Sequence, residues 1–198
     1  WVSGIGATIL GYCDSIVDNA VKRQIDLGTM YSVSHPIELE LAELLINRIP
    51  CAEMVRFAKG GGDACAIAIR IARGTTGKDK ILFSGYHGWH DWYLAANHDT
   101  GELDTHLFPG IDPVGVPKAL KNTALPFAYD DLDALSCLLD AHHNDVAAIM
   151  MEPLRSDFPS EGYLQGVRDL ADKHGVLLIF DEVSTGFRPS SAGIQPVV

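Results

Sequence analysis

The run Val176-Leu177-Leu178-Ile179-Phe180-Asp181-Glu182-Val183 decides the fold. Five apolar residues in succession fit a strand buried on both faces, as a parallel sheet between helices requires. The run ends on two carboxylates. Open α/β sheets gather ligand groups at the carboxyl ends of their strands. Asp181 thus reads either as an acid that meets a ligand or as an acidic cap or loop residue. Just upstream, Tyr163 to His174 has helical spacing, and Gly175 fits the residue that closes that helix.

The same grammar recurs outward from this block. Val146 to Met151 is a second continuous apolar run ending in Glu152-Pro153, so two carboxylates are expected to converge on one edge. Leu132, Leu135, Leu138 and Leu139 mark a helix before it. Lys80 to Phe83 reads as a short strand leading into the loop Ser84-Gly85-Tyr86-His87-Gly88-Trp89-His90-Asp91. Met54 to Ala58 reads as another strand, broken by Gly60-Gly61-Gly62. Asp63 then leads into a helix from Ala64 to about Arg73, with Ile67, Ile71 and alanines on its buried side and Gly74 and Gly77 closing it. Nearer the start, Ile16 to Leu27 fits a helix ended by Gly28. Ser34 is a candidate cap for a second helix, with Pro36 in its first turn and Pro50 beyond its end. Asn97 to Lys121 is a long irregular excursion, of the kind that often forms lids or binding loops. Helices alternating with short apolar strands predict an α/β layer fold.

Composition narrows the partners. A formal charge of −11 over 198 residues argues against nucleic acid, whose phosphates select basic surfaces, and against an anionic membrane surface. No uncharged apolar run is long enough to span a bilayer, and Trp1–Tyr12 lacks the basic start of a signal peptide. Cys13, Cys51, Cys65 and Cys137 form no C-x-x-C pair; small-hydrophobe cysteines in a reducing, cytoplasmic setting are expected. The apolar, glycine-containing opening on Trp1 reads as an excised piece of a domain, or as numbering that starts where a tag was removed.

Two features carry chemistry. Glycines let a backbone approach an anion closely, and the free N–H groups of a helix start favour phosphate. Gly60-Gly61-Gly62-Asp63 before a helix is therefore either a phosphate cradle or an ordinary tight turn. It is not a Walker loop, since no Gly-Lys-Ser/Thr follows. His87 and His90 form H-x-x-H beside Asp91, but the loop lacks a helical frame, so a hydrogen-bonding or stacking role is preferred to a metal. Trp89 and Trp92 read as packing residues, and His142-His143 as a solvated helix end.

In order, these blocks resemble the class III aminotransferases, pyridoxal-phosphate enzymes of fold type I, especially the glutamate-1-semialdehyde aminomutase branch. The matching stretches are Glu38 to Leu45, Val55-Arg56-Phe57 through Gly61-Gly62-Asp63-Ala64, Ile69 to Arg73, Gly85-Tyr86-His87-Gly88, Glu152-Pro153, and Leu178 to Val183 with Thr185-Gly186-Phe187-Arg188. The resemblance implies a three-layer α/β/α sandwich with a mostly parallel sheet, and pyridoxal 5'-phosphate as cofactor. It implies that Asp181 bonds the pyridine nitrogen, and a carboxylate there keeps that nitrogen protonated. It places Val183 under one ring face, Tyr86 over the other with His87 beside it, and Gly61, Gly62 and Asp63 around the phosphate. Glu152 falls near the cofactor's edge and Ser34 near substrate. The partners implied are a small amino donor and acceptor and a second copy of the chain.

Departures from the family pattern matter too. Gly62 stands where the family usually carries Ser or Thr, and Ser184 replaces a residue that in many relatives contacts the cofactor's phenolate oxygen. The Schiff-base lysine of the family lies downstream of the Asp-Glu-Val block, yet the last lysine here is Lys173. Residues 1–198 are thus expected to be a partial cofactor-binding large domain, lacking the rest of that domain and the small domain, and inactive alone. The competing expectations are a non-catalytic module that binds a phosphorylated ligand or another chain, and, more remotely, a metal hydrolase built on His87, His90 and Asp91.

Overall fold

The structure is a computed structural model and describes residue 4, residues 6–98 and residues 111–196. The chain divides into two compact units, Trp1–Val55 and Arg56–Val198.

The first unit carries helices α1 (Ser15–Leu27) and α2 (Pro36–Arg48). Asp14 starts α1, its carboxylate accepting from the Ile16 and Val17 amides at 3.0 and 3.1 Å, and Gly28 closes it at φ 111°. Ser34 was the expected cap of α2, but His35 takes that place, its Nδ1 accepting from the Ile37 amide at 3.2 Å. The residue directly before Pro36 is extended at φ −80°, ψ 147°, the conformation proline imposes on its predecessor and also that of a cap. Neither helix buries a residue: Ile16, Val21 and Ile25 of α1 and Ile37, Leu39 and Leu44 of α2 are all exposed.

The second unit holds α3 (Gly61–Thr76), β1 (Lys80–Ser84), α4 (Asp91–Leu94), β2 (Ala124–Pro126), α5 (Leu132–His142), β3 (Val146–Met151), α6 (Tyr163–His174) and β4 (Leu177–Phe180). All strand pairs are parallel, in the order β2-β1-β3-β4. Side chains alternate across a strand, and the core splits accordingly. Ile81 and Phe83 of β1 and Ala148 and Met150 of β3 pack with Cys65, Ile69 and Ala72 of α3 and Trp92 and Tyr93 of α4. Leu82, Ile149 and Met151 face the other way, against Leu135 and Leu139 of α5 and Val167 and Ala171 of α6. Helices cover both faces of the sheet, so the unit is the three-layer α/β/α sandwich expected.

Several readings need correction. Residues 54–58 form no strand; none of the four described strands pairs with them. The glycine run does not precede α3 but begins it. Gly60 is the N-cap, Gly61 and Gly62 are the first two helical residues, and the Asp63 carboxylate accepts from the Gly60 amide at 3.2 Å. The buried stripe of α3 runs through Cys65, Ile69 and Ala72, while Ile71 is exposed, and Gly77, in the left-handed region, closes the helix. β3 is buried along its whole length, but β4 is not, with Leu177 exposed. β4 sits at the edge of the described sheet, so only β3 flanks it. β2 was not anticipated, because three residues ending in proline give no periodicity to read. Of the excursion at Asn97–Lys121, residues 99–110 lie outside the described residues. What is described is tied down: the Asn97 amide donates to the Ile111 carbonyl at 2.6 Å. The cysteines are all free, and only Cys65 is buried; Cys13, Cys51 and Cys137 are exposed. Among the described residues no helix is long and apolar enough to cross a membrane.

Candidate active site

The carboxyl ends of β1, β3 and β4 and the N-terminus of α3 form one edge. From β4 the chain carries Asp181, 7% exposed, whose amide continues the ladder by donating to the Met151 carbonyl at 2.8 Å. A buried carboxylate needs partners to stay charged, and Asp181 has them. His87 Nδ1 lies 2.7 Å from Oδ2, the Cys65 thiol donates to Oδ2 at 3.4 Å, and the Val183 amide donates to Oδ1 at 3.0 Å. Burial alone pushes this carboxyl upward. The bonds from His87, Val183 and Cys65, with the His87 charge, outweigh burial and hold it below its ordinary value. The same burial and the Asp181 charge push the Cys65 thiol far up, so it stays a donor to the acid.

His87 is fixed from both sides, since its Nε2 faces the Ser84 carbonyl at 3.2 Å. Its ring stacks with Trp92 at a centroid distance of 6.2 Å and an interplanar angle of 23°. His90 points elsewhere, with Nε2 3.2 Å from Asp63 Oδ1 and its ring stacked on Trp89 at 5.0 Å. The H-x-x-H pair therefore does not converge on one ion. Cys65, His87 and Asp181 do bring their ligand atoms within 4.8 Å of one another, a cluster that the hydrogen bonds above already account for. Of the two tryptophans, Trp92 packs in the core as expected, but Trp89 is 72% exposed.

The glycine turn lies against this acid. A Cβ on Gly61 would sit 2.9 Å from Val183 Cγ2, and one on Gly88 would sit 2.7 Å from the Gly62 Cα. Gly88, at φ +97°, is thus the residue that lets the Tyr86–Gly88 loop touch the start of α3. Gly85 plays a similar part toward Glu152, whose Oε2 occupies the space a side chain would need. That carboxylate accepts from the Tyr86 amide at 3.3 Å and lies 3.5 Å from Arg155 Nε. Burial raises the Glu152 carboxyl, and the Tyr86 bond and the His87 and Arg155 charges only partly offset it. Tyr86 packs edge-on to Tyr93 at 5.7 Å, and the Tyr93 hydroxyl donates to the Gly85 carbonyl at 3.1 Å. Beside Glu152 an open cleft of about 610 Å³ is lined by Tyr86, Arg155, Ser184, Thr185 and Arg188, among others.

Gly61, Gly62, Asp63, Tyr86, His87, Glu152, Asp181 and Val183 all belong to the second unit, and the contacts above link them. Ser34 belongs to the first. Sequence reasoning missed Cys65 and Arg155. Cys65 looked like one more small core residue, and its position one turn into the glycine-started helix was the available signal. Arg155 stands three residues after Glu152, within salt-bridge reach once the chain turns at Pro153.

A buried acid at a parallel strand's end, facing a glycine-started helix across an aromatic loop, is the edge expected of a fold type I pyridoxal-phosphate transferase. Known proteins agree: the chain matches the aminotransferase class-III family over residues 1–193, and it belongs to that family, whose cofactor is pyridoxal phosphate. It is 44% identical over 196 residues to a glutamate-1-semialdehyde 2,1-aminomutase of Methanococcus maripaludis, covering 96% of this chain and 45% of that protein. It is 39% identical to a 3-aminobutyryl-CoA aminotransferase of Cloacimonas acidaminovorans, covering 96% and 44% of the two chains. Among solved structures, an omega-transaminase from Sphaerobacter thermophilus superposes with a TM-score of 0.84 at 30% identity, over 99% of this chain and 46% of the other. A transaminase with bound pyridoxal phosphate gives 0.87 at 26% identity, over 100% and 46%. The chain therefore spans less than half the length of these relatives.

The residues fit the cofactor. The buried acid that would meet a ring nitrogen is held below its ordinary value, and α3 begins on Gly61 and Gly62, which have no side chains of their own at the helix start where an anion would approach.

Proposed function

We propose that this chain supplies the cofactor-holding edge of an enzyme that transfers an amino group, between molecules as a transaminase or within one as an aminomutase. The observation that carries the reading is the buried Asp181, hydrogen-bonded to His87, Cys65 and Val183, on the same edge as the helix start at Gly60–Gly62. Pyridoxal phosphate, when bound, supplies an electron sink for the amine carbon. Asp181 would keep a proton on the ring nitrogen, and His87 and Cys65 hold Asp181 in place. The α3 amides of Gly61 and Gly62 would hold the phosphate, aided by the positive end of the helix. Tyr86, Val183 and Glu152 would contribute the surrounding wall of the cofactor site. The family resemblance assigns Ser34 of the first unit a substrate-binding role.

We further infer that these 198 residues form part of the cofactor-binding large domain, as their span of less than half of the relatives' length suggests. In the family, the lysine that class III chemistry uses as nucleophile and proton carrier follows the Asp-Glu-Val block. The functional protein is proposed to be a cytoplasmic homodimer acting on a small amine.

The test is spectroscopic. The full-length protein should carry a visible cofactor band that shifts when amino donors are added, and Asp181→Ala should lose that band. A protein with no bound cofactor and no shift with any donor would refute the reading.

A further inference from the structure

The start of α3 holds an electrostatic conflict. Gly61 and Gly62 are its first two residues, and amides at those positions have no partner within a helix. They and the positive end of the helix favour an anion. Asp63 follows directly as the third helical residue, and its carboxylate adds a negative charge. An acid in the first turn is stabilised by the same field that an arriving anion would use, so Asp63 and a phosphate compete for it. A phosphate ester carries about −1.5 to −2 at neutral pH, and like charges a few ångströms apart repel.

Both oxygens of that carboxylate are engaged. Oδ2 accepts from the Gly60 amide at 3.2 Å, and Oδ1 lies 3.2 Å from His90 Nε2. A carboxylate offers only lone pairs, so His90 Nε2 carries the hydrogen in this contact. The imidazole is held from its other side by the Trp89 ring, stacked at 5.0 Å and 17°. A Cβ on Gly62 would sit 3.1 Å from His90 Cδ2 and 3.4 Å from Nε2, which places the ring over the second residue of the helix. The loop that carries Tyr86 and His87 therefore also delivers a donor to the phosphate end of the site, from 27 residues beyond Asp63 in sequence.

We propose that His90 is a positioning residue of the phosphate cradle: by donating to Asp63 Oδ1 it restrains and offsets the one acid that would repel an anion at the start of α3. The inference rests on the amino-transfer reading and names what lets the cradle accept the phosphorylated form of the cofactor. The His90 and Asp63 side chains are 30% and 49% exposed, so water screens the pair and its effect is a few-fold one.

Equilibrium titration of the full-length apoenzyme with pyridoxal phosphate and with pyridoxal tests this, because one carries a phosphate where the other has a hydroxyl. His90→Ala should weaken pyridoxal phosphate about three- to tenfold and leave pyridoxal unchanged. His90→Gln, which keeps an N–H donor for Asp63, should recover part of the loss. In an Asp63→Asn background there is no charge to offset, so His90→Ala should change neither affinity, a coupling read as a double-mutant cycle. The inference is overturned if His90→Ala weakens both ligands alike, if it leaves pyridoxal phosphate unaffected, or if its penalty survives in the Asp63→Asn background. The pyridoxal control and the glutamine variant separate a lost charge balance from a disturbed loop. A wild-type protein that binds neither ligand would instead overturn the amino-transfer reading, so the two failures are read on separate signals.

Discussion

Replacing Gly88 with alanine places a methyl group where the structure has backbone. The new Cβ would lie 2.7 Å from the Gly62 Cα, against an ordinary carbon–carbon contact of about 3.5–4.0 Å. Gly62 is the second residue of α3 and cannot swing aside as a flexible side-chain tip does, so relief requires the loop and the helix start to part by about 1 Å. Overpacking of this kind costs about 1–3 kcal/mol. Gly88 also sits at φ +97°, where a side chain adds about 1–2 kcal/mol of strain. The sum is about 2–5 kcal/mol, equivalent to a fall in melting temperature of about 5–20 °C for a chain of this size. Thermal melting by circular dichroism measures it, and cofactor titration of the same samples should show weakened affinity because Tyr86 and His87 move with the loop. A fall below about 2 °C with unchanged cofactor affinity would mean that loop and helix do not touch as described.

Other outcomes follow from the same edge. His87→Ala leaves the Asp181 carboxylate buried without its closest partner and should cost about 3 kcal/mol in urea denaturation at neutral pH, with a smaller loss at low pH, where the acid is neutral. Gly62→Ser adds the hydroxyl that the family resemblance leads one to expect there; its Cβ would meet the His90 ring at 3.1 and 3.4 Å and the Gly88 Cα at an ordinary 3.7 Å, so cofactor affinity should tighten about fivefold, read by equilibrium titration. Asp181 and Glu152 pull the stability–pH curve in opposite directions. The depressed Asp181 carboxyl contributes stability above its ordinary value of 3.8, lost as pH falls below it. The raised Glu152 carboxyl contributes stability below its ordinary value of 4.5, lost as pH climbs above it. Glu152→Gln should therefore remove the loss of stability that sets in as pH rises above 4.5 while sparing the loss below 3.8, as measured by melting at successive pH values.

Much of this was legible before any coordinates. The runs ending in Glu152 and Asp181 showed their strands because a short continuous apolar stretch, entered from Asp145 or Gly175 and ending on an acid, has few other uses, and α6 was readable from its spacing and Gly175. Where reading failed, the cause was context. Residues 54–58 have strand composition but no strand beside them among the described residues. The glycines at 60–62 look like a break because glycine is a poor helix former, yet the Asp63 side chain caps them into the first turn. Ile71 lost its expected burial because α3 packs the face of Cys65, Ile69 and Ala72 on the sheet, and a residue two positions from Ile69 points to nearly the opposite side of a helix. The side-chain partners of Asp181 lie 94 and 116 residues away in sequence, a separation no local pattern encodes.

The position of β4 at the rim of the described sheet has a consequence for the order of the site. Amides that face β3 are locked in the ladder, whereas those on the outer side of Leu177–Phe180 are open to solvent deuterium. The strand bearing Asp181 should therefore label faster than β3, and a neighbouring strand docking there would slow that labelling and stiffen the acid along with the backbone that carries it.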